Sequence, residues 1–285
     1  MLPRVNCRPG AGIRAPLAGV ALALVLLAQS PLARPDAPPD AAAVPVWQQL
    51  RNQLFGDRPI SQDTTGIVRL RVPPRAQDPS TVPVAISTSL EQSEQRYIRA
   101  LYLVIDSNPS PLSATFTLTP RSGRADIQTR VRIEDYGWVR AIAEMNDGSL
   151  FMDQHYVKAA GGCSAPAGAA GDFEAFEPRA DLELRPNERD PGLVLAQLKI
   201  LHPNSSGLAR DPMTQLFVPP YFVREVDVTL DDEQVLRVQT DFSLSSNPNF
   251  RFYVRAAAPA ELRAVVVDTK DRRVEVHERI ERGQR

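Results

Sequence analysis

Residues 127–134, IQTRVRIE, set Ile127, Val131 and Ile133 on one face of an extended chain and Gln128, Arg130 and Arg132 on the other. A period of two marks a strand with one buried and one wet face. It predicts Arg130 and Arg132 in solvent, where charge discourages edge-to-edge pairing. The same period recurs in residues 67–72, 82–88, 97–106 and 114–119 before this stretch and in 139–145 and 150–159 after it. Gly, Pro, Asn and Asp separate the segments, and Asn146-Asp147-Gly148 carries the positive-φ chemistry of a tight hairpin. Trp138, followed by Val139, reads as a core aromatic.

Seven short strands in about a hundred residues predict an immunoglobulin-like sandwich. A second block follows, with strands expected at 193–201, 222–230, 234–242, 250–256, 262–268 and 274–278. Val226, Val228 and Leu230 keep the half-buried alternation, while Asp231-Asp232-Glu233 and Lys270-Asp271-Arg272 read as exposed turns. Both blocks are large enough for their own cores. Between them, over 164–192, periodicity disappears into Ala, Gly, Pro, Glu and Arg, the composition of a linker. Ahead of the first block, VWQQLRNQLFGD places Trp47, Leu50, Leu54 and Phe55 on one helical face, with Pro45 at its start and Gly56 at its end. The expected fold is all-β: two immunoglobulin-like β-sandwich domains, at 46–163 and 193–280, with a short N-terminal helix.

The first residues are of another kind. Arg4, Arg8 and Arg14 precede an apolar run, LAGVALALVLLA at 17–28, shorter than the roughly 20 residues that span a bilayer. This is the pattern of a cleaved signal peptide, expected to occupy residues 1–33 and to send the chain to the periplasm. Residues 34–45, RPDAPPDAAAVP, read as a disordered lead-in. The whole chain has a formal net charge of -1. Losing a leader with three arginines and no acid makes it more negative still, which argues against nucleic acid or anionic membrane as partner. The leader also contains Cys7, so Cys163 is the sole cysteine expected in the mature chain.

Cys163 sits in YVKAAGGCSAP, residues 156–166, among neighbours too small to enclose a core. It is therefore expected to be solvent-exposed on a loop between the domains. An unpaired thiol in an oxidising compartment either reacts or joins a second chain as a disulfide dimer. Catalysis by it would need a positioned base, and His155, His202 and His277 are the candidates. Each reads more simply as a surface or edge-strand histidine. No Cys-x-x-Cys or His-x-x-x-His spacing marks a metal site, and GGCSAPAG lacks the lysine and context of a phosphate loop. Neither a metal nor a cofactor is expected.

Three features together carry a resemblance: NPSPLSATFTL, then IQTRVRIEDYGWVRAIAEMNDGSLFMDQHYVKAAGGC, and later AQLKILHPNSSGLARDP with VPPYFVREVDVTL and SLSSNPNFRF. The first two resemble the sulfur-carrier subunit SoxY, the last its partner SoxZ, and the order resembles fused SoxYZ-like carriers associated with quinoprotein dehydrogenases. The resemblance implies a non-enzymatic carrier with Cys163 as covalent attachment point for sulfur intermediates and Gly161, Gly162 and Ser164 as parts of a mobile arm. It implies periplasmic oxidoreductases as partners, haem proteins or a quinoprotein dehydrogenase among them. In the family pattern the arm ends the chain as Gly-Gly-Cys-Gly-Gly; here Ser164-Ala165 replaces the distal glycines and the arm is internal. The alternative function is a non-covalent immunoglobulin-like accessory or assembly module for a periplasmic quinoprotein dehydrogenase.

Overall fold

A computed structural model describes residues 38–62, 66–165, 173, 175–190 and 192–281. The expected signal peptide lies outside the described residues. In the first half the strands are β1 (Ile60–Gln62), β2 (Val68–Arg71), β3 (Val82–Thr88), β4 (Ile98–Ile105), β5 (Leu112–Leu118), β6 (Ile127–Val131), β7 (Gly137–Met145) and β8 (Leu150–Val157). The second half contributes β9 (Arg179–Pro186), β10 (Leu193–Leu201), β11 (Val223–Leu230), β12 (Glu233–Thr240), β13 (Asn249–Arg255), β14 (Ala260–Asp268) and β15 (Arg273–Ile280). Among the described residues the chain is thus mostly β, with one short α-helix, as two immunoglobulin-like sandwiches.

The two sandwiches share their sheets. One nine-stranded sheet runs β1-β8-β7-β4-β5-β12-β11-β14-β15, and one six-stranded sheet runs β2-β3-β6-β13-β10-β9. The first is joined across the halves by β5 and β12, antiparallel with Ala114 opposite Thr240 and Leu118 opposite Leu236. The second is joined where Gln128 of β6 meets Arg251 of β13. Edge strands expose unpaired N–H and C=O groups, and each half supplies the other's missing partner. Val84, Phe116 and Ile127 belong to the same buried apolar cluster as Leu198, Val238 and Phe250, with the Phe116 and Phe250 rings edge-on at 6.3 Å.

The helix α1 spans Pro45–Phe55, with Pro45 in its first turn, and Gly56 at φ +58° donates its N–H to Asn52 O. Trp47 and Phe55 pack on Val104, Ile142, Leu150 and Met152, which covers the outer face of the nine-stranded sheet over the first half. Because both faces of β7 are then covered, its burial is nearly continuous and includes Arg140 and Glu144. Arg140 pairs with Asp106 and donates 2.8 Å to Ala41 O, with its guanidinium 4.5 Å from the Trp47 ring. That contact corrects the expected disorder of the lead-in over 38–45, because a buried guanidinium needs acceptors and this segment supplies one.

Other departures have equally local causes. The stretch 164–192 expected as a linker contains β9, whose Leu182 is buried while most of its neighbours stay polar. Trp138 is half-buried rather than core, and its indole N–H reaches Pro39 O at 3.2 Å. His202 is wholly buried, against the expectation of a surface histidine, whereas His155 and His277 are exposed.

Candidate functional site

After β8 the chain turns back along the end of β6. Lys158 N donates to Pro74 O and Ala76 N to Lys158 O, so the root of the arm is zipped to the segment after β2. Gly161, at φ +80°, donates its N–H to Glu134 O at 2.6 Å, and Gly162 donates to Ile133 O at 2.9 Å. A Cβ at Gly162 would lie within 2.5 Å of Ile133 O and closer still to Pro79 O, so only glycine allows this approach. Gly162 thus serves close packing here, whereas the sequence pointed to flexibility.

Cys163 is buried at 0% exposure, which corrects the expected exposed thiol. It belongs to neither the large shared apolar cluster nor the smaller one under the helix. Its N–H donates to Glu134 Oε2 at 2.8 Å, and Ser164 follows with its N–H at 3.1 Å and its hydroxyl on Glu134 Oε1 at 3.1 Å. From the second half, Ser206 Oγ donates to Cys163 O. Arg132 donates through Nη1 to Gly162 O at 3.1 Å and through Nη2 to Ser246 Oγ at 2.8 Å and Asn204 O at 3.5 Å. The buried thiol is therefore closed in at the junction of the two halves, and the main chain on either side of it is held by polar groups of residues far apart in the chain.

Arg132 is 1% exposed, so its expected place in solvent is also corrected. The alternation of IQTRVRIE reports faces only as far as Val131, where β6 ends and Leu244 pairs with it. Beyond that point Arg132 N donates to Ser243 O and the chain is covered by the second half. Glu134 and Ser206 were missed for a related reason. Ser206 stands 43 residues from Cys163, and nothing near the thiol in sequence points to it.

Burial is the main reason the Cys163 thiol is pushed up to about 12, with the Glu134 carboxylate adding to it and Arg132 opposing it. Burial also lowers Arg132 below the usual guanidinium range. In this state the sulfur is a neutral thiol, and a thiol is a poor nucleophile until ionised. Among the described residues, no histidine nitrogen is hydrogen-bonded to Cys163. His202 instead accepts from Asn204 N through Nδ1 at 3.0 Å and turns Nε2 toward Asp268 Oδ2 at 3.5 Å. Asn204 in turn donates to Leu244 O and accepts from Val223 N, which fixes the loop that carries Ser206. Among the described residues no three His, Cys, Asp or Glu side chains gather as metal ligands, and no helix is long and apolar enough to cross a membrane.

Closure sets the pH response of the thiol. Its pKa is raised on seating, so the stabilisation of the closed seat is full below about 9 and is lost as pH rises toward about 12. Alkylation by iodoacetamide is expected to climb about tenfold per pH unit from pH 7 to beyond pH 10, without the levelling near pH 8.5 of a free cysteine. A plateau at pH 8.5–9 would show an exposed thiol.

The family model described as sulfur oxidation protein SoxY matches residues 51–163, ending on Cys163 itself, and that of sulphur oxidation protein SoxZ matches 184–278. The chain belongs to the SoxYZ family, its two parts fused in one polypeptide. The SoxY domain supplies β1–β8 and the SoxZ domain most of the remaining strands, so the seat of Cys163 is a SoxY–SoxZ junction within one chain. Membership makes this fused SoxYZ-like protein a member of a sulfur-oxidation carrier family. Among solved structures, one match is the sulfur carrier protein SoxY from Chlorobium limicola f thiosulfatophilum, 22% identical over 39% of this chain and 89% of its own, with TM-score 0.33. Another is superoxide reductase (neelaredoxin) from Ignicoccus hospitalis, 18% identical over 32% of this chain and 78% of its own, with TM-score 0.28. No curated protein matches the chain.

Proposed function

We propose that this SoxYZ fusion is an exported, periplasmic carrier that binds sulfur-containing intermediates covalently on Cys163 and presents them to partner oxidoreductases, without catalysing their conversion itself. The observation that carries the reading is the seat of Cys163. Cys163, at the end of the SoxY match and outside both buried apolar clusters, is held by its main-chain N–H on Glu134 and its carbonyl on Ser206. These contacts are polar and lie at the junction, outside the strand ladders, so the arm can leave the seat without unfolding either sandwich. Seated, the sulfur is shielded from stray thiols and oxidants; released, its pKa returns toward the free value and the thiolate becomes available.

Loading supplies the reason for redox partners. Joining the Cys163 thiol to the sulfane sulfur of an anion such as thiosulfate forms one S–S bond, releases the thiol proton and removes two electrons. The step needs an acceptor for that pair, and a partner oxidoreductase is the one that takes it. Protein isolated without reductant is expected to show intact-mass additions that a reductant removes and that Cys163→Ser lacks. A single unmodified mass, together with unimpaired sulfur oxidation by cells carrying Cys163→Ser, would instead favour the accessory-module role. An interchain disulfide requires release of Cys163, so dimer is expected only when the seat is opened.

A further inference from the structure

We propose that the outer face of the six-stranded sheet is an anion-binding trough that docks an acidic polypeptide segment of a partner protein. The strand register places Arg71, Ala85, Gln128, Arg251 and Gln197 directly opposite one another across β2, β3, β6, β13 and β10. Residues paired in this way project from the same face of a sheet. Arg130, two residues from Gln128 and opposite Pro83, joins them on that face.

Ala85 and Pro83 leave the centre low while the arginines form the walls, and the result is an open concavity of about 620 Å³. Among the described residues no carboxylate lines it. Neither Arg71 nor Arg130 pairs with a carboxylate among the described residues, and Arg251 donates to the neutral Gln197 at 3.0 Å. The acids on the same sheet, Asp181 and Glu183 at its β9 edge, are engaged by Lys199. At the rim, the exposed His155 has Asp153 at 3.7 Å. Glu183, opposite Gln197, also feels the charge of Arg251, so the uncompensated charge is that of Arg71 and Arg130, a focused field on a chain of net negative charge.

Spacing decides what fits. Arg71 and Arg251 are three strand steps apart, roughly 14 Å at about 4.8 Å per step. One tetrahedral oxoanion cannot span that row, whereas the carboxylates of an extended acidic peptide recur on this scale. Position supports a partner's segment as occupant. From Arg71 the chain runs to Pro74 and Ala76, which bond Lys158, and on to Pro79, which bonds Ile133 and abuts Gly162. A protein held in the trough is thereby placed against the root and seat of the Cys163 arm. The trough also spans the SoxY and SoxZ domains, so it exists only in the assembled sandwich.

The test is binding of fluorescein-labelled hexaglutamate carrying a photo-crosslinker, followed by anisotropy at low ionic strength. Wild type and Cys163→Ser are expected to bind alike, which separates docking from the covalent carrier reading. The triple variant R71E/R130E/R251E is expected to bind at least tenfold more weakly, with the neutral R71A/R130A/R251A in between, and crosslinks should fall on β2, β3, β6 or β13. Binding by the triple reversal within twofold of wild type, or crosslinks elsewhere, would overturn the proposal. So would displacement by sulfate beyond that by chloride of equal ionic strength, which would make the trough a small-oxoanion site. The alanine variant tests the same point should the charge reversal fail to fold.

Discussion

Gly162→Val is expected to raise the rate of Cys163 alkylation near neutral pH by roughly a thousandfold while leaving the β-sheet circular dichroism unchanged. The added Cβ cannot coexist with Ile133 O at 2.5 Å and the still nearer Pro79 O, both of them backbone atoms of a packed junction. The strand end cannot move aside cheaply, so the arm must leave. Once out, the thiol loses the burial that pushes it up to about 12 and titrates near the free value of about 8.5, a gap of some three orders of magnitude in thiolate at neutral pH. Gly161→Ala is the companion variant. Its Cβ would meet only Ser164 Oγ at 3.8 Å, and its burden is the left-handed backbone at φ +80°, worth about 1–2 kcal/mol. It is expected to speed alkylation by about tenfold. Equal rates for wild type and Gly162→Val would mean that the seat is not closed in solution.

Arg140→Met is expected to destabilise the fold by about 3–5 kcal/mol, read as the shift in urea unfolding free energy. Arg140 and Asp106 are nearly inaccessible, at 0% and 3% side-chain exposure, and are held by two hydrogen bonds from Nε at 2.9 and 3.1 Å and one from Nη2 at 2.5 Å. Truncating the arginine leaves a carboxylate buried with no counter-charge, and the loss of the contacts to Ala41 O and the Trp47 ring loosens the start of α1. Asp106→Asn in the same chain removes the stranded charge, so the double variant is expected to recover at least half of the loss. A single-variant loss below 1 kcal/mol would show that water reaches Asp106. Acid acts on a different buried group. Burial depresses His202 to about 4, so the stability this neutral imidazole contributes is present above about pH 6.5 and is lost as pH falls through 4. The urea midpoint should therefore drop over that window in wild type and less so in His202→Asn.

Much of the sandwich is legible in one dimension because alternation along a strand is a local property. Residues 82–88 and 193–201 match β3 and β10 end for end, and the helix was visible from Trp47, Leu50, Leu54 and Phe55 and bounded by Pro45 and Gly56. Short elements escaped where pattern is thin: β1 has three residues, and β9 lies in a polar stretch where few side chains are buried. What no local pattern could reveal is that β5 and β12 share a hydrogen-bond ladder, since an edge strand reads the same whether its free side meets water or a second domain. The chemistry divides likewise. The identity of Cys163 and the two glycines before it came from the sequence alone, because composition limits which residue can react. Whether that thiol is open or closed was decided by tertiary structure, since burial and charge at a point are sums over Arg132, Glu134, Asn204 and Ser206, neighbours in space that are 29 or more residues from Cys163 in the chain.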